Sequence, residues 1–505
     1  MTTRAGAALS TGGMNLYCQN RSTDGSQEAH TAIIANTQEL IQKSMSHYDV
    51  VIIGAGQAGM PLSKSLAKAG RKVALIESTH LGGSCVNYGC TPTKAAIASA
   101  RVAHMARRSS EYGIEVNGVQ PDFKAVLARA RRIVEQSRTS LNDGFSGDDN
   151  PQLIRGYARL NGRDADEFRI SVGDDFLTAG QVVLDTGTRT RIPPIDGLET
   201  VKYITAETWL EHDVLPSHLL IVGGGAIGLE MAQFYRRMGA EVTVIGSGPQ
   251  VADHEDADVA GAIQHALESE GICFTLNAKA SKVTARTNGI SVTVTDENTN
   301  KEHQVEASHV FIATGRKPNT DDLGLQTIGL EATEKGTLDV NVCLETSLRG
   351  IWAVGDIRGG PMFTHTSWDD YRIVESQLLG DGSRTTDRVV PYAIFTDPEL
   401  GRVGMTESDA RAAGKSVEVA HFDMKHNGKA RETGETEGFI KVVVDSTTQQ
   451  ILGAAVFSAE GAELVHIYIA LMNAKAPYTV LENAIHIHPT LAEAVQSAVG
   501  TLKPA

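Results

Sequence analysis

Hydrophobic positions follow the same order in two blocks of the chain, Tyr48–Ser78 and Ser217–Gly248. Each block opens with a short apolar run, passes through clustered glycines, and continues with apolar residues spaced along one helix face. A second apolar run closes each block. Short apolar runs bounded by glycine are typical of buried strands, and the middle segment is typical of an amphipathic helix. The two blocks therefore predict two βαβ units, each part of a parallel sheet.

The pattern changes outside these blocks. Residues 95–140 are rich in strong helix formers and predict long helices, and alternating runs such as GISVTVTD predict strands. From residue 391 onward, separated strand-like runs (GFIKVVVD and ILGAAVFS) precede amphipathic helices, which indicates a distinct α+β domain. Residues 1–46 show no sustained period and predict a mobile extension with one short helix, Glu28–Lys43. The predicted fold class is α/β, with two Rossmann-like three-layer domains followed by the C-terminal α+β domain.

Composition narrows the class of protein. A chain of 505 residues with 41% apolar residues, 21% charged residues and 50 glycines suits a glycine-rich enzyme of several domains. The formal net charge of −15 argues against nucleic acid or an anionic membrane surface as partner. No apolar run has the length of a transmembrane helix, and the N-terminus lacks the apolar core of a signal peptide. The five cysteines are mostly isolated, which favours a reducing compartment, so we expect a cytoplasmic protein.

The glycines of the first block are spaced for dinucleotide binding. Gly54, Gly56 and Gly59 form a G-x-G-x-x-G motif between the predicted strand and the predicted helix. Bare backbone at these positions allows a tight turn and lets a pyrophosphate approach the helix N-terminus. Glu77 ends the second strand, where a carboxylate can bind a ribose hydroxyl. Because strand, helix and acid occur in this order, the block predicts a dinucleotide site.

The second block repeats the motif, with Gly223, Gly225 and Gly228. Glu77 follows Gly54 by 23 residues, and the same spacing from Gly223 leads to Gly246. The carboxylate that would bind the 2′-hydroxyl of NAD is therefore missing, which removes an obstacle to a 2′-phosphate. No Arg or Lys stands in this turn, although Ser247 can donate a hydrogen bond. The site favours NADPH and leaves NADH open.

Two cysteines, Cys85 and Cys90, lie in a glycine-bounded loop that opens a run of strong helix formers. A thiol at a helix N-terminus faces unpaired N–H groups, and Lys94 adds a cation one turn further on, so a thiolate is favoured. Two such thiols can cycle between dithiol and disulfide and carry two electrons. The spacing alone also allows half a zinc site, a structural disulfide or two unrelated buried thiols. Partners for a zinc site are not evident, because the remaining cysteines are solitary: Cys18, Cys273 and Cys343.

Two further positions carry candidate chemistry. Asp356 follows the apolar run IWAVG, and an acid at the carboxyl end of such a strand lies where α/β sheets bind ligands. A role in a turn or helix cap explains Asp356 equally well. His488, in the segment HIHPT, can exchange a proton near neutrality, although a buried structural histidine is the simpler interpretation of that residue alone. We interpret the neighbouring His486 as structural.

In combination, these motifs resemble the class I pyridine nucleotide–disulfide oxidoreductases, which include glutathione reductase, dihydrolipoamide dehydrogenase and mercuric reductase. The resemblance covers Tyr48 to about Thr501. Within the family the chain looks most like the mercuric-reductase-like branch, including the reactive-chlorine-resistance flavoprotein. The segments that suggest this branch are CVNYGCTPTK, AHMARRSSEYGI, FTHTSWDDYRIV, GKARETGETEGFIKVVVD and PYTVLENAIHIHPTLAE.

The resemblance implies two cofactors, FAD at the first glycine motif and NAD(P)H at the second. Asp356 would hold the ribityl and phosphate region of FAD, and Lys94 would lie near the flavin N5. The residues implied to bind the cofactors are Gly54, Gly56, Gly59, Glu77, Gly83, Lys94, Gly223, Gly225, Gly228, Gly315 and Asp356.

The resemblance also implies catalytic roles. Cys90 would lie against the flavin as a thiolate, while Cys85 would exchange with the substrate. Lys94 would pair with Glu230 beside the nicotinamide.

The implied active site needs two subunits. His488, with Glu493 as its orienting carboxylate, would reach from the partner subunit as the acid–base group. We therefore expect a homodimer.

The resemblance divides the chain into five parts. They are an N-terminal extension (1–46), the first part of the FAD-binding domain (47–195), the NAD(P)H-binding domain (196–314), the second part of the FAD-binding and central domain (315–388) and the dimerisation domain (389–505).

The chain departs from typical mercuric reductases. Those enzymes carry a vicinal cysteine pair at the C-terminus, whereas this chain ends AVGTLKPA, with no cysteine after Cys343. Residues 1–46 hold a single cysteine, Cys18, so we expect no N-terminal Cys-x-x-Cys metal-binding domain. We expect no structural metal site, with Cys85 and Cys90 as transient ligands of a substrate metal ion. His365 and Thr366 occupy a stretch that is more apolar in lipoamide and glutathione reductases, which counts against those substrates.

The sequence thus predicts an FAD-dependent oxidoreductase that passes electrons from NAD(P)H through the Cys85–Cys90 pair to an acceptor, a soft metal ion such as Hg(II). One alternative is dihydrolipoamide dehydrogenase or another disulfide reductase. An alternative of another class is a flavin-bearing redox sensor whose thiols report oxidation to a partner. The implied acid–base residues weigh against the sensor, because a sensor needs no proton relay.

Overall fold

The computed structural model describes residues 46–147 and 149–502. The predictions for residues 1–45, including the helix Glu28–Lys43 and the solitary Cys18, lie outside the described residues.

Each of the two blocks folds as a strand, a helix and a second strand, as predicted, and longer runs of strands follow each block. The strands are β1 (Ser46–Ile53), β2 (Val73–Glu77), β3 (Gln152–Arg155), β4 (Ala158–Asp164), β5 (Glu167–Val172), β6 (Asp175–Leu184), β7 (Thr188–Thr190), β8 (Tyr203–Thr205), β9 (His218–Val222), β10 (Glu241–Ile245), β11 (Ile272–Thr275), β12 (Ala278–Arg286), β13 (Gly289–Asp296), β14 (Glu302–Ala307), β15 (His309–Ile312), β16 (Arg316–Pro318), β17 (Ile351–Ala353), β18 (Pro391–Ile394), β19 (Glu399–Gly404), β20 (Val417–Asp423), β21 (Phe439–Asp445) and β22 (Ile451–Ser458).

The helices are α1 (Gly59–Lys68), α2 (Gly83–Asn87), α3 (Cys90–Arg107), α4 (Phe123–Asp143), α5 (Ala226–Met238), α6 (Ala257–Ser269), α7 (Thr364–Leu379), α8 (Glu407–Ala412), α9 (Gly428–Glu432), α10 (Gly461–Asn473), α11 (Thr479–Glu482) and α12 (Glu493–Val499). Short 3₁₀ turns occur at Ser109–Tyr112, Leu198–Thr200, Trp209–Glu211, Leu325–Ile328, Gly355–Arg358 and Met424–His426.

The first block forms the centre of a seven-stranded sheet. Its order is β3-β2-β1-β6-β5-β4, with β17 paired to β6. Strands β1, β2 and β3 are parallel, β17 is parallel to β6, and β4 to β6 form an antiparallel meander. Alternate residues of β1 point to opposite faces, so Val50 and Ile52 pack with α1 and α7, while Val51 and Ile53 pack on the other side. Both faces are covered, which gives the predicted three layers.

The second block forms a parallel sheet of five strands in the order β11-β10-β9-β15-β8. Leu219 and Ile221 of β9 pack toward α5 in one core cluster. Leu220 and Val222 pack against the antiparallel sheet β12-β13-β14 in another. The prediction of two Rossmann-like three-layer domains is confirmed.

The C-terminal residues form an antiparallel sheet in the order β18-β19-β22-β21-β20. Helices α10 and α12 cover one face. From the other face, Phe439 and Phe457 join a core cluster with Ala96 and Ala100 of α3. Helix α3, which begins with Cys90, is therefore enclosed by apolar contacts with α4, α5 and the C-terminal sheet. These contacts fix the position of the thiols relative to both glycine turns.

None of the helices in the described ranges combines the length and apolarity that a bilayer crossing requires.

Candidate functional site

A cavity of about 3010 Å³ extends across the molecule, and both glycine turns, both cysteines of the predicted pair and Asp356 line it. Pockets for one small ligand usually measure about 300–1,000 Å³, so this cavity has room for more than one such molecule. The geometry therefore brings the two predicted nucleotide sites and the predicted thiol centre to one continuous space.

The first glycine turn has no room for side chains. A Cβ on Gly59 would lie 2.2 Å from the Gly54 carbonyl oxygen, and a Cβ on Gly54 would lie 2.2 Å from the Asp185 carbonyl oxygen. Gly54 also has a φ of +105°, a conformation that side chains disfavour. Since only glycine fits, the backbone of the turn stays bare on the cavity wall, as a pyrophosphate site requires.

Glu77 stands at the end of β2 and is buried. Its Oε2 accepts a hydrogen bond from the Ala55 N–H at 2.9 Å, and its Oε1 accepts one from the Thr79 N–H at 2.7 Å. These bonds hold the carboxylate beside the first glycine turn, on the cavity wall. The position is the one expected of an acid that binds a ribose hydroxyl.

Three other predicted cofactor residues lie on the same wall. Gly83 opens α2 against the turn, since a Cβ on it would lie 3.1 Å from the Cα of Gly56. Asp356 accepts a hydrogen bond from the Thr188 hydroxyl at 2.9 Å, and burial raises the pKa of its carboxyl. Gly315 has a φ of +105° and lines the cavity. Backbone N–H donors at a helix N-terminus, together with carboxyl groups that accept from hydroxyls, fit a dinucleotide such as FAD.

Cys85 lies in α2, and Cys90 is the first residue of α3; both are free thiols. Cys90 Sγ lies 3.2 Å from the Thr364 hydroxyl. A hydrogen bond from Cys85 is the main cause that lowers the pKa of Cys90 to about 6, helped by Thr364 and Lys94 and opposed by burial. The same hydrogen bond and burial raise the pKa of Cys85. Ionisation of the pair near neutral pH is therefore favoured at Cys90.

Lys94 and Glu230 form an ion pair with Nζ and Oε2 2.7 Å apart. The ammonium also lies 4.5 Å from the centre of the Phe395 ring, and Glu230 Oε1 accepts a hydrogen bond from the Phe395 N–H at 3.0 Å. Glu230 is buried in α5, and Lys94 is one turn along α3 from Cys90. The contacts among Lys94, Glu230 and Phe395 thus connect α3, the second nucleotide-binding domain and the C-terminal domain.

The second glycine turn repeats the geometry of the first. A Cβ on Gly228 would lie 2.0 Å from the Gly223 carbonyl oxygen, and Gly223 has a φ of +122°. A Cβ on Gly225 would meet nothing within 4 Å, so its backbone faces open space. Gly246 and Ser247 also line the cavity, at the end of β10. The residues fit a second dinucleotide, with no carboxylate at position 246.

The structure forms the predicted histidine–carboxylate pair away from the thiols. His488 Nδ1 lies 3.0 Å from Glu493 Oε1, and the Thr490 N–H and then His488 hold the pKa of Glu493 below its usual range. The His488 side chain is 76% exposed, and neither residue of the pair lines the cavity described above. Within one chain, the acid–base pair and the cysteines are therefore not brought together.

Sequence reasoning missed two residues of this site. Asp185, where β6 has ended, accepts a hydrogen bond from the Gly59 N–H at 2.7 Å and is buried under the first glycine turn. Thr364, at the start of α7, contacts Cys90. The rule that pointed to Asp356, an acid at the carboxyl end of an apolar strand, also applies to Asp185 in the segment VVLDTG. No local signal identifies Thr364.

Across residues 46–147 and 149–502, no three His, Cys, Asp or Glu side chains are grouped to hold a metal ion.

Comparisons with known proteins agree with this geometry. The family model described as pyridine nucleotide-disulphide oxidoreductase matches residues 48–370, and the model of the dimerisation domain of that family matches residues 390–499. Among curated proteins, the probable pyridine nucleotide-disulfide oxidoreductase RclA of Escherichia coli is 34% identical over 91% of this chain and 100% of its own length. A dihydrolipoyl dehydrogenase of Cupriavidus necator is 31% identical over 89% of this chain and 97% of its own length.

Comparison with solved structures also finds similar proteins over nearly the whole chain. A structure of the Cu(II) complex of the HOCl-induced flavoprotein disulfide reductase RclA from Escherichia coli has a TM-score of 0.81 and 33% identity, covering 91% of this chain and 100% of that one. LpdA from Mycobacterium tuberculosis has a TM-score of 0.82 and 26% identity, covering 90% of this chain and 99% of that one.

Proposed function

The chain belongs to the pyridine nucleotide–disulfide oxidoreductase family, and from this premise we propose that it carries electrons from NAD(P)H through Cys85 and Cys90 to a soft metal ion. The broader statement, a flavoprotein disulfide reductase with FAD and NAD(P)H as its cofactors, follows from the family. The resemblance to mercuric reductases and the identity of the acceptor stay predictions.

One observation carries the proposal. The Cys90 thiol, with its pKa lowered to about 6, lies on the wall of the cavity that both glycine turns also line. A thiolate is the reactive form of cysteine, and here it is formed at neutral pH next to the space where both nucleotides fit. FAD, when bound, supplies a carrier that takes two electrons from a nicotinamide and delivers them to a disulfide.

The residues of the chain account for the protons and for the thiol chemistry. Reduction of the Cys85–Cys90 disulfide by NAD(P)H yields NAD(P)⁺, one thiolate and one thiol, because the hydride equivalent supplies two electrons and a single proton. Cys90 leaves as the thiolate, which Cys85, Thr364 and Lys94 stabilise. Cys85, whose pKa is raised, receives the proton and is the thiol presented to the acceptor. Two neighbouring sulfur ligands are what soft metal ions prefer.

Two further observations favour a metal ion over a bulky organic disulfide. His365 follows Thr364 on the cavity wall, and its Nε2 donates a hydrogen bond to the Pro391 carbonyl at 2.7 Å. This bond leaves Nδ1 as the acceptor, and burial lowers the pKa of the ring, so the imidazole is in the neutral form that ligates metals. In addition, RclA, which is 33% identical to this chain, has a solved structure as a Cu(II) complex.

We further propose that the enzyme works as a homodimer in which His488 and Glu493 complete the partner's site. The C-terminal residues match a dimerisation-domain model. Ile485 and Ile487, which precede His488 by three residues and one residue, are 100% and 80% exposed. Exposed apolar side chains beside an exposed acid–base pair favour an interface at this position.

Anaerobic NADPH titration followed by an acceptor panel tests the proposal. We expect Hg(II) or Cu(II) to sustain faster NADPH oxidation than lipoamide, glutathione disulfide, a quinone or oxygen. Turnover should be lost in both Cys85→Ser and Cys90→Ser, while the exposed Cys273→Ser serves as the matched control. Faster turnover with lipoamide would identify a dihydrolipoyl dehydrogenase, the function that one relative's name states. Undiminished turnover in both serine variants would refute the thiol mechanism altogether.

A further inference from the structure

Asp185 is a carboxyl group enclosed by the backbone that forms the FAD site. Its Oδ2 accepts a hydrogen bond from the Gly59 N–H at 2.7 Å, at the N-terminus of α1. A Cβ on Gly56 would lie 2.7 Å from Oδ2, and a Cβ on Gly355 would lie 3.2 Å from Oδ1. The carboxyl therefore lies against the first glycine turn and against the glycine that precedes Asp356, and Asp185 lines the cavity.

The charges around Asp185 oppose its ionisation. The negative charges of Asp356, Asp370 and Glu77 each raise its pKa. Two guanidinium groups pair with Asp370: Arg358 Nε lies 2.8 Å from Asp370 Oδ2, and Arg388 also contacts Asp370. Burial is the largest cause that holds the pKa of Asp185 well above its usual range, and the Gly59 N–H opposes the shift.

A charged Asp185 would conflict with the cofactor. The N-terminus of a helix carries a partial positive charge that normally binds the phosphate of a dinucleotide. An ionised carboxylate bonded to Gly59 would neutralise that charge and repel the diphosphate. A protonated carboxyl has no such effect, and it gains a donor, the O–H on Oδ1, while Oδ2 still accepts from Gly59.

We propose that Asp185 binds FAD as a neutral carboxylic acid, accepting the Gly59 N–H with Oδ2 and donating its own proton from Oδ1 to the diphosphate. The proposal rests on FAD binding at the first glycine turn and is independent of the electron acceptor. Asp185 would thus be a cofactor ligand that the glycine motif by itself does not reveal.

Flavin release from the purified holoprotein, followed by flavin fluorescence, gives the first test. Asp185→Asn keeps one acceptor and one donor, so its release rate should match that of the wild type. Asp185→Ala removes both the acceptor and the donor. Its flavin should be released about 10- to 100-fold faster, because this factor corresponds to the loss of one hydrogen bond to a charged group. Asp174→Asn, an exposed carboxyl outside the cavity, is the control.

The infrared spectrum gives the second test. Near neutral pH the wild-type holoprotein should show a protonated-carboxyl C=O band that is absent from Asp185→Asn, and Asp185→Ser assigns the same band if the Asn variant does not fold. Three results would overturn the proposal: no such band lost, flavin retained equally by the Ala and Asn variants, or slower release from Asp185→Asn than from the wild type. The last would show that Asp185 is ionised and repels the diphosphate. Acceptor turnover in the panel above stays interpretable in every case.

Discussion

Lys94 Nζ lies 2.7 Å from Glu230 Oε2, and this ion pair joins the helix that begins with Cys90 to the helix of the second glycine turn. The two charges act on Cys90 in opposite directions, since Lys94 lowers the pKa of the thiol and Glu230 raises it. The pair therefore holds a cation near the thiolate while limiting its effect. The ion pair also lies at the junction between the two nucleotide-binding regions.

Removal of either partner should shift the reactivity of Cys90. We expect Lys94→Met to raise its pKa and slow alkylation at mildly acidic pH roughly three- to tenfold, because an attractive charge is lost. Glu230→Gln should lower the pKa and accelerate alkylation, because Lys94 is then unopposed. Iodoacetamide labelling of the reduced protein across pH, read by mass spectrometry at Cys90, measures both. Lys124→Met, an exposed lysine, is the control, and equal profiles in all variants would contradict the electrostatic role.

The thiolate should set the acidic limit of activity. Because the pKa of Cys90 is lowered to about 6, the thiolate predominates above that pH and is lost as the pH falls through it. Thr364→Val removes a stabilising hydroxyl, so its acidic limit should move to higher pH, whereas Thr364→Ser should behave as the wild type. The pH profile of kcat/KM with a metal acceptor measures the limit. An unchanged profile in Thr364→Val would mean that the 3.2 Å contact has no influence on ionisation.

Subunit mixing should reveal where His488 acts. We expect His488→Gln to lower kcat about 10²- to 10⁴-fold, the usual contribution of an acid–base group. If His488 serves the partner's site, mixing the inactive His488→Gln and Cys85→Ser proteins under exchange conditions should restore activity, because one site of the heterodimer is then intact. Mixing Cys85→Ser with Cys90→Ser is the control and should restore nothing. Failure of the first mixture, with exchange confirmed by native mass spectrometry, would place His488 outside the partner's site.

The choice of coenzyme should depend on Ser247. A hydroxyl that donates to a 2′-phosphate makes a hydrogen bond to a charged group, so Ser247→Ala should lower kcat/KM for NADPH about tenfold and leave that for NADH unchanged. Gly246→Asp should favour NADH, because the new carboxylate repels a 2′-phosphate and accepts from a 2′-hydroxyl. Steady-state kinetics with both coenzymes decide the matter, with Ser110→Ala, outside the cavity, as the control. Equal losses for NADH and NADPH would contradict a 2′-phosphate contact.

The first glycine turn should not tolerate a methyl group. A Cβ on Gly59 would lie 2.2 Å from the Gly54 carbonyl oxygen, which is backbone and cannot move away cheaply. Gly59→Ala should therefore lower both the flavin content and the melting temperature. Gly261→Ala, in helix α6 where a Cβ meets nothing within 4 Å, should stabilise the protein by about 0.5–1 kcal/mol. Calorimetry and the flavin-to-protein absorbance ratio measure both, and normal flavin content in Gly59→Ala would contradict the close packing.

Local features of the chain were predictable because local chemistry produces them. The two glycine turns, the strand that ends in Glu77 and the thiols at the start of a helix follow from backbone freedom, side-chain periodicity and helix-end electrostatics within short segments. Family resemblance added the pairing of Lys94 with Glu230, which the structure forms across 136 residues. The domain boundaries and the roles of the individual site residues stay predictions.

The fold class, the two nucleotide motifs and the thiol pair could be inferred from the sequence alone, because each depends on patterns within short stretches of consecutive residues. The contacts that distant groups make with the site became visible only in the folded molecule. Asp185 reaches the Gly59 amide across 126 residues, and Thr364 reaches Cys90 across 274. The fold also leaves His488 outside the cavity of its own chain. Such contacts depend on how sheets and helices pack against one another, and no local pattern of residues specifies that packing.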